Sequence, residues 1–131
     1  SNSLNEKSEE DINSIKKIIN DSQYEIISVK DLHKKSSLNT KIINELVFFI
    51  SKRKEVHLIN SDLIISSKSF NNLIHLLKNH FLGNETLSVS KFKEITGLTR
   101  KNAIPILEYL DKCNYTIRNG MERVQGDHSF E

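Results

Sequence analysis

Four cations form the clearest chemical pattern in this chain. Arg100 and Lys101 directly follow Thr99, and Arg118 and Arg123 lie on either side of Asn119-Gly120. Thr99 suits the N-cap of a helix whose first turn then holds both cations. Positive charge there opposes the helix dipole, whereas a phosphate gains from the free N–H groups, the dipole and both side chains. Arginines on a hairpin closed by Gly120 would add a second grip on a phosphate backbone. Plainer readings stand beside these: solvated charges on a surface helix, and arginines that keep a sheet edge from pairing.

Other chemistry has no comparable constellation. His33, His57, His75, His80 and His128 show no HxxxH or HExxH spacing, and His75 and His80 fall on different helix faces. Cys113 is the one cysteine, which excludes a disulfide framework and a thiolate zinc cluster and points to a reducing, cytoplasmic setting. There is no Gly-rich phosphate loop and no GxSxG. No enzyme, cofactor or metal is expected.

The elements that would position the cations emerge from an internal repeat. At an offset of 60, Ile27 to Leu32 lies over Leu87 to Phe92, Leu38 over Leu98, Lys41 over Lys101, and Phe49-Ile50 over Tyr109-Leu110. Upstream the offset is 58, with Ile12, Ile15, Ile18 and Ile19 over Phe70, Leu73, Leu76 and Leu77. Each copy reads as an amphipathic helix, a short strand (25–28; 86–88), a short helix (29–35; 89–96), a turn, a longer helix (40–52; 100–112) and two closing strands. Asn119-Gly120 is a two-residue hairpin signal. The fold class is α+β, mostly helical: two tandem winged helix-turn-helix modules. Residues 9–66 form the first and 67–125 the second, with a loose tail over 1–8 and another over 126–131. The polar joint at 66–69 lacks Gly and Pro, which predicts a fixed angle between modules.

Composition agrees. The 131 residues hold four Gly and one Pro, and the longest uncharged apolar stretch, Leu46 to Ile50, is far too short for a membrane span. No signal peptide is visible. The net charge of +2 hides an uneven distribution. Residues 1–25 hold three Lys against six acids, 30–54 seven cations against two acids, and 86–124 seven against four. In the first copy Lys52, Arg53 and Lys54 sit at a helix C-terminus and need no ligand. Its closing strands, with Leu58, Ile59, Leu63, Ile64 and Ile65, are apolar and expected to be buried, most simply against the helix that follows. In the second copy Pro105 should bend the helix near its start, and Glu108 and Asp111 would repel phosphates flanking a groove. Only the N-terminal end of that helix suits a nucleic acid.

The run Gly97-Leu98-Thr99-Arg100-Lys101-Asn102-Ala103-Ile104-Pro105-Ile106-Leu107-Glu108-Tyr109-Leu110-Asp111, followed by Thr116, Arg118, Gly120, Arg123 and Val124, closely resembles the last winged-helix module of the bacterial selenocysteine-specific translation elongation factor. The resemblance covers about residues 86–124, and the first module fits the penultimate winged helix by position. It implies an RNA-binding C-terminal fragment that grips the loop of a selenocysteine-insertion hairpin in mRNA just past a UGA codon, with the GTP-binding and tRNA domains elsewhere in the factor. The site residues carried over are Thr99, Arg100, Lys101, Arg118, Gly120 and Arg123. Ile117 stands where the family is usually basic, and Met121 where it usually has an acid. A monomer that binds an mRNA hairpin and no membrane is expected. Two readings of other classes remain open: a winged-helix regulator of duplex DNA, and a protein-interaction module docking on the ribosome through the first module's lysines.

Overall fold

The computed structural model describes residues 2–128, with side chains from residue 8 onward. The chain runs α1 (Asn2–Asn20), a 3-10 turn (Gln23–Glu25), β1 (Ile26–Ser28), α2 (Val29–Lys35), α3 (Thr40–Lys52), β2 (Val56–Leu58), β3 (Leu63–Ser66), α4 (Ser67–Gly83), β4 (Thr86–Ser88), α5 (Val89–Thr96), α6 (Arg100–Lys112), β5 (Thr116–Asn119) and β6 (Glu122–Gln125). Two antiparallel sheets have one topology, β1-β3-β2 and β4-β6-β5. The hairpin of each unit thus recruits the strand that precedes its helix-turn-helix. Both copies are winged helices.

The repeat extends to backbone detail. Ser28 and Ser88 cap α2 and α5, each hydroxyl accepting from the amide three residues on at 3.0 Å. Where α3 and α6 end, Lys54 (φ 62°) and Asn114 (φ 65°) enter the left-handed region, and the next amides, of Glu55 and Tyr115, donate to the carbonyls of Ile50 and Leu110 at 3.0 Å. The alternation of burial then follows from helical spacing. Ile12, Ile15 and Ile19 of α1 pack with Leu32, Ile43, Ile50 and Ile64 in the first core. Phe92, Leu98, Ile106, Leu107 and Leu110 are buried in the second unit.

The structure departs from the sequence expectation at the boundaries. α1 starts at Asn2, so residues 2–8 continue a helix rather than forming a loose tail. The compact units divide between Phe70 and Asn71, inside α4, and no loop separates β3 from that helix. Residues 126–128 are held: the Gly126 and His128 amides donate to the carbonyls of Tyr115 (2.9 Å) and Asn114 (2.8 Å), and the His128 ring stacks on Tyr115 at 3.9 Å. Residues 129–131 of the expected tail lie outside the described residues. A Cβ on Gly126 would meet the Asn114 carbonyl oxygen at 2.2 Å, so close backbone approach demands glycine here. The second hairpin turns one residue later than Asn119-Gly120 suggests. Asn119 pairs with Glu122, and the loop is Gly120-Met121 with positive φ only at Gly120 (66°), as in a type II′ turn.

The first hairpin is buried as expected. Ile64 and Ile65 are fully covered, and His57 stacks on Phe70 with centroids 4.0 Å apart. Burial lowers the His57 pKa below its ordinary value. In the loop, Asn60 Oδ1 accepts from the amides of Asp62 and Leu63 at 2.8 Å, an Asx turn in a segment without cations.

Candidate nucleic-acid interface

The turn between α5 and α6 sets the open end of α6. Gly97 takes φ 77° and its amide donates to Lys93 at 2.8 Å, ending α5. Leu98, only 3% exposed, anchors the turn while its amide donates to Thr96 Oγ1 at 3.2 Å. Thr99 occupies the N-cap with extended backbone, and its carbonyl accepts from Asn102 (3.1 Å) and Ala103 (2.8 Å). Its hydroxyl makes no capping bond. The amides of Arg100 and Lys101 therefore have no intrahelical acceptor, and Thr99, Arg100 and Lys101 are all exposed. No ion pair engages either cation among the described residues. The structure thus places Thr99, Arg100 and Lys101 together at the helix start, where two amides, a hydroxyl and two cations have the chemistry to hold an anion.

α6 continues through Pro105 to Lys112, although Pro105 has no N–H to give the carbonyl of Lys101. Further along, Glu108 is exposed, as the sequence suggested. Asp111 behaves otherwise. Its Oδ1 accepts from Thr116 Oγ1 (2.6 Å) and from Arg123 Nε (3.1 Å), and its Oδ2 from Arg123 Nη2 (3.0 Å). Arg123 is 4% exposed. This corrects two expectations: Arg123 is enclosed at the base of the wing and not offered to a phosphate, and the Asp111 charge is neutralised.

The same pair shows where the wing stands. Asp111 lies eleven residues along α6 from Arg100, so about 16 Å of helix axis separates the open helix start from the Asp111–Arg123 lock. On the wing itself Arg118 is exposed, with Nε donating to the Gly120 carbonyl at 3.2 Å, and Gly120 shapes the loop. Ile117 is 43% and Met121 88% exposed, so one free arginine stands among apolar neighbours. Of the six candidate residues, Thr99, Arg100, Lys101, Arg118 and Gly120 are exposed and Arg123 is not.

A supporting cluster escaped sequence reasoning. Burial, helped by a hydrogen bond with Cys113, pushes the Tyr109 phenol up to about 12, and burial also raises Tyr115. Both rings stay neutral and, with His128 on Tyr115, brace the exit of α6 into the wing. Gly126 at the strand end was the available signal. Among the described residues no cluster could hold a metal ion, and no helix is long and apolar enough to cross a membrane.

Fold and site together define a tandem winged-helix protein in which α6 has a cationic start without a side-chain cap. Residues 79–125 match the family model described as elongation factor SelB, winged helix. The second module belongs to that winged-helix family, and the chain has the form of the C-terminal winged-helix region of SelB. The selenocysteine-specific elongation factor of Desulfomicrobium baculatum is 26% identical over 96 residues, covering 73% of this chain and 15% of that protein. A crystal structure of a bacterial selenocysteine-specific elongation factor is 33% identical over 90% of this chain and 18% of its own, with TM-score 0.73. The mRNA-binding domain of SelB from E. coli, solved in complex with SECIS RNA, shares the fold at 20% identity and TM-score 0.76, covering 90% of this chain and 98% of that one. The chain thus spans less than a fifth of the full-length factors it matches.

Proposed function

We propose that this chain is the mRNA-binding part of a selenocysteine-specific elongation factor, a binding module without catalysis of its own that works in the cytoplasm. Its second module holds the loop of a selenocysteine-insertion hairpin and so marks a UGA codon for selenocysteine. The observation that carries this reading is the uncapped start of α6, where two amides, the Thr99 hydroxyl, Arg100 and Lys101 converge. Backbone phosphates of the RNA bind there, and Arg118 on the wing takes a second phosphate about three helical turns away. Exposed Glu108 between these points opposes a helix laid lengthwise in duplex DNA. The family match of residues 79–125 and the SECIS complex of the structural relative support RNA as the partner. GTP hydrolysis, aminoacyl-tRNA delivery and ribosome contact belong, on this proposal, to the whole factor.

Fluorescence anisotropy with a labelled hairpin from a selenoprotein message tests the reading. Binding should exceed that of duplex DNA of equal length, and Arg100→Ala should weaken it about tenfold, the scale of one charge-assisted phosphate contact. It should also flatten the dependence of log K on log salt by about one unit. Equal affinity for the duplex, or an unchanged Arg100→Ala, sinks the proposal.

A further inference from the structure

We propose that the first module carries a separate binding face for unpaired nucleic acid on α3, built around Phe48. On the outward side of α3, Lys41, Asn44, Phe48 and Lys52 follow at helical spacing, and all four are exposed. Phe48 is 57% exposed, and the Lys52 ammonium stands 5.0 Å from its ring centroid. Asn44 Oδ1 accepts from His33 Nε2 at 3.2 Å, which leaves the Asn44 NH2 group as a donor on this exposed face. An aromatic ring with one cation against it and a second about 10 Å away along the axis suits a stacked base within a strand of two or three nucleotides, whose phosphates reach both lysines.

Charge decides the occupant. Residues 30–54 hold seven cations against Asp31 and Glu45; Arg53 is paired with Glu9 and Glu55, and the six lysines that remain favour a polyanion over an apolar protein surface. The neighbouring Phe49 serves a different side. It shares a recess with Glu9, Ile12, Glu45 and Leu46, and Arg53 lies 5.3 Å from its ring. The second module sharpens the assignment. Lys41, Phe48 and Lys52 correspond by the 60-residue offset to Lys101, Glu108 and Lys112. The same row thus carries an acid at its centre in α6 and a stacking ring in α3. Paired bases hide their faces from a helix side chain, so the ring selects an unpaired strand.

The test uses the full chain with a single-stranded oligoadenylate of about ten nucleotides, the length of one binding site, carrying one 2-aminopurine. Binding should quench the fluorophore. Phe48→Ala should lose at least about fivefold in affinity, and Phe48→Trp should retain it. Lys41→Ala and Lys52→Ala should each lower the salt slope by about one. Arg100→Ala should leave this binding unchanged while weakening the hairpin, which separates the two sites. The inference is overturned by equal affinity of Phe48→Ala and the parent, by equal binding of the duplexed oligonucleotide, or by no binding at low salt. The last result would leave Phe48 to a protein partner.

Discussion

α3 and α6 occupy the same place in their modules, sixty residues apart, yet they begin differently. In α3 the N-cap is Asn39, whose Oδ1 accepts from the Ile42 amide at 2.9 Å, so a side chain caps the helix start. In α6 the equivalent Thr99 makes no such bond, and two cations crowd the first turn. The wings diverge in parallel. The first is a buried apolar hairpin with an Asx-turned loop, the second an exposed ribbon with Arg118 near a type II′ turn. One fold therefore supports a module whose helix start is capped by a side chain and whose wing is apolar, and a module whose helix start lacks that cap and whose wing is exposed. The difference lies in caps and loop residues, not in topology.

The largest expected effect concerns the base of the wing. Where module two has Asp111, Thr116 and Arg123 in a buried network, module one has Ser51, Val56 and, by strand register, Ile64 at the corresponding positions. Asp111→Ala leaves a guanidinium enclosed without its counter-charge and should cost about 3 kcal/mol, read by urea unfolding. The triple substitution Asp111→Ser, Thr116→Val, Arg123→Ile installs the apolar solution of the first module and should recover most of that loss. It should also keep hairpin affinity within about twofold, since Arg123 is buried; one charge-assisted contact would be worth about tenfold. Loss of RNA binding in a folded triple variant would return Arg123 to the interface.

Closing the open helix should produce the next largest change. Thr99→Asn copies Asn39: its Oδ1 would take the Asn102 amide, as Asn39 takes that of Ile42, and would set a carbonyl oxygen beside the Arg100 and Lys101 amides, where the proposal puts a phosphate. Helix stability should rise by up to about 1 kcal/mol, and hairpin affinity should fall about fivefold, as one ligand contact is pre-empted. A variant that gains stability without losing affinity would show that the RNA does not approach the start of α6.

Titration separates the modules in another way. His57 is half-buried against Phe70, whereas the corresponding Ile117 lies exposed on the second wing. The folded-state pKa of His57 lies below its ordinary value of 6.5, so the unfolded chain takes up the proton first as pH falls. Its stabilising contribution is complete above about pH 7 and is lost as pH drops through 6.5 toward the folded pKa. The Tm should therefore decline between pH 7.5 and 5.5, and His57→Phe should flatten the decline. An unchanged slope would show that other groups carry the acid sensitivity.

Much of this contrast was legible in the sequence. The spacing of apolar residues and the repeat predicted α2, α3, α5 and α6 at their observed bounds, because helical periodicity and Ser, Asn or Thr caps are local signals. The cationic helix start was legible for the same reason. Arg123 was not: its type and position in the ribbon match those of a phosphate ligand, and only the approach of Asp111, twelve residues earlier, shows it to be enclosed. The register of the second hairpin was missed by one residue because Gly120 can serve as either loop position, and strand pairing chose the first. Nor did periodicity reveal residues 126–128, whose anchoring rests on one glycine and a stacked histidine.

The smallest expected effect concerns the two helix exits. Lys54 and Asn114 hold the same left-handed conformation at φ 62° and 65°, but asparagine tolerates it and lysine does not. The first module thus carries a local strain that the second avoids, in a turn closed by the same amide of residue 55 or 115. Lys54→Asn should stabilise the chain by about 0.5 kcal/mol and Lys54→Gly by up to about 1 kcal/mol, less the added entropy of an unfolded glycine. Asn114→Lys should cost a similar amount, measured by thermal unfolding at constant ionic strength. Opposite signs for the paired substitutions would establish that the repeat is one backbone design with two sequences of unequal fitness. Equal signs would mean that the Lys54 side chain contributes an interaction larger than its backbone cost.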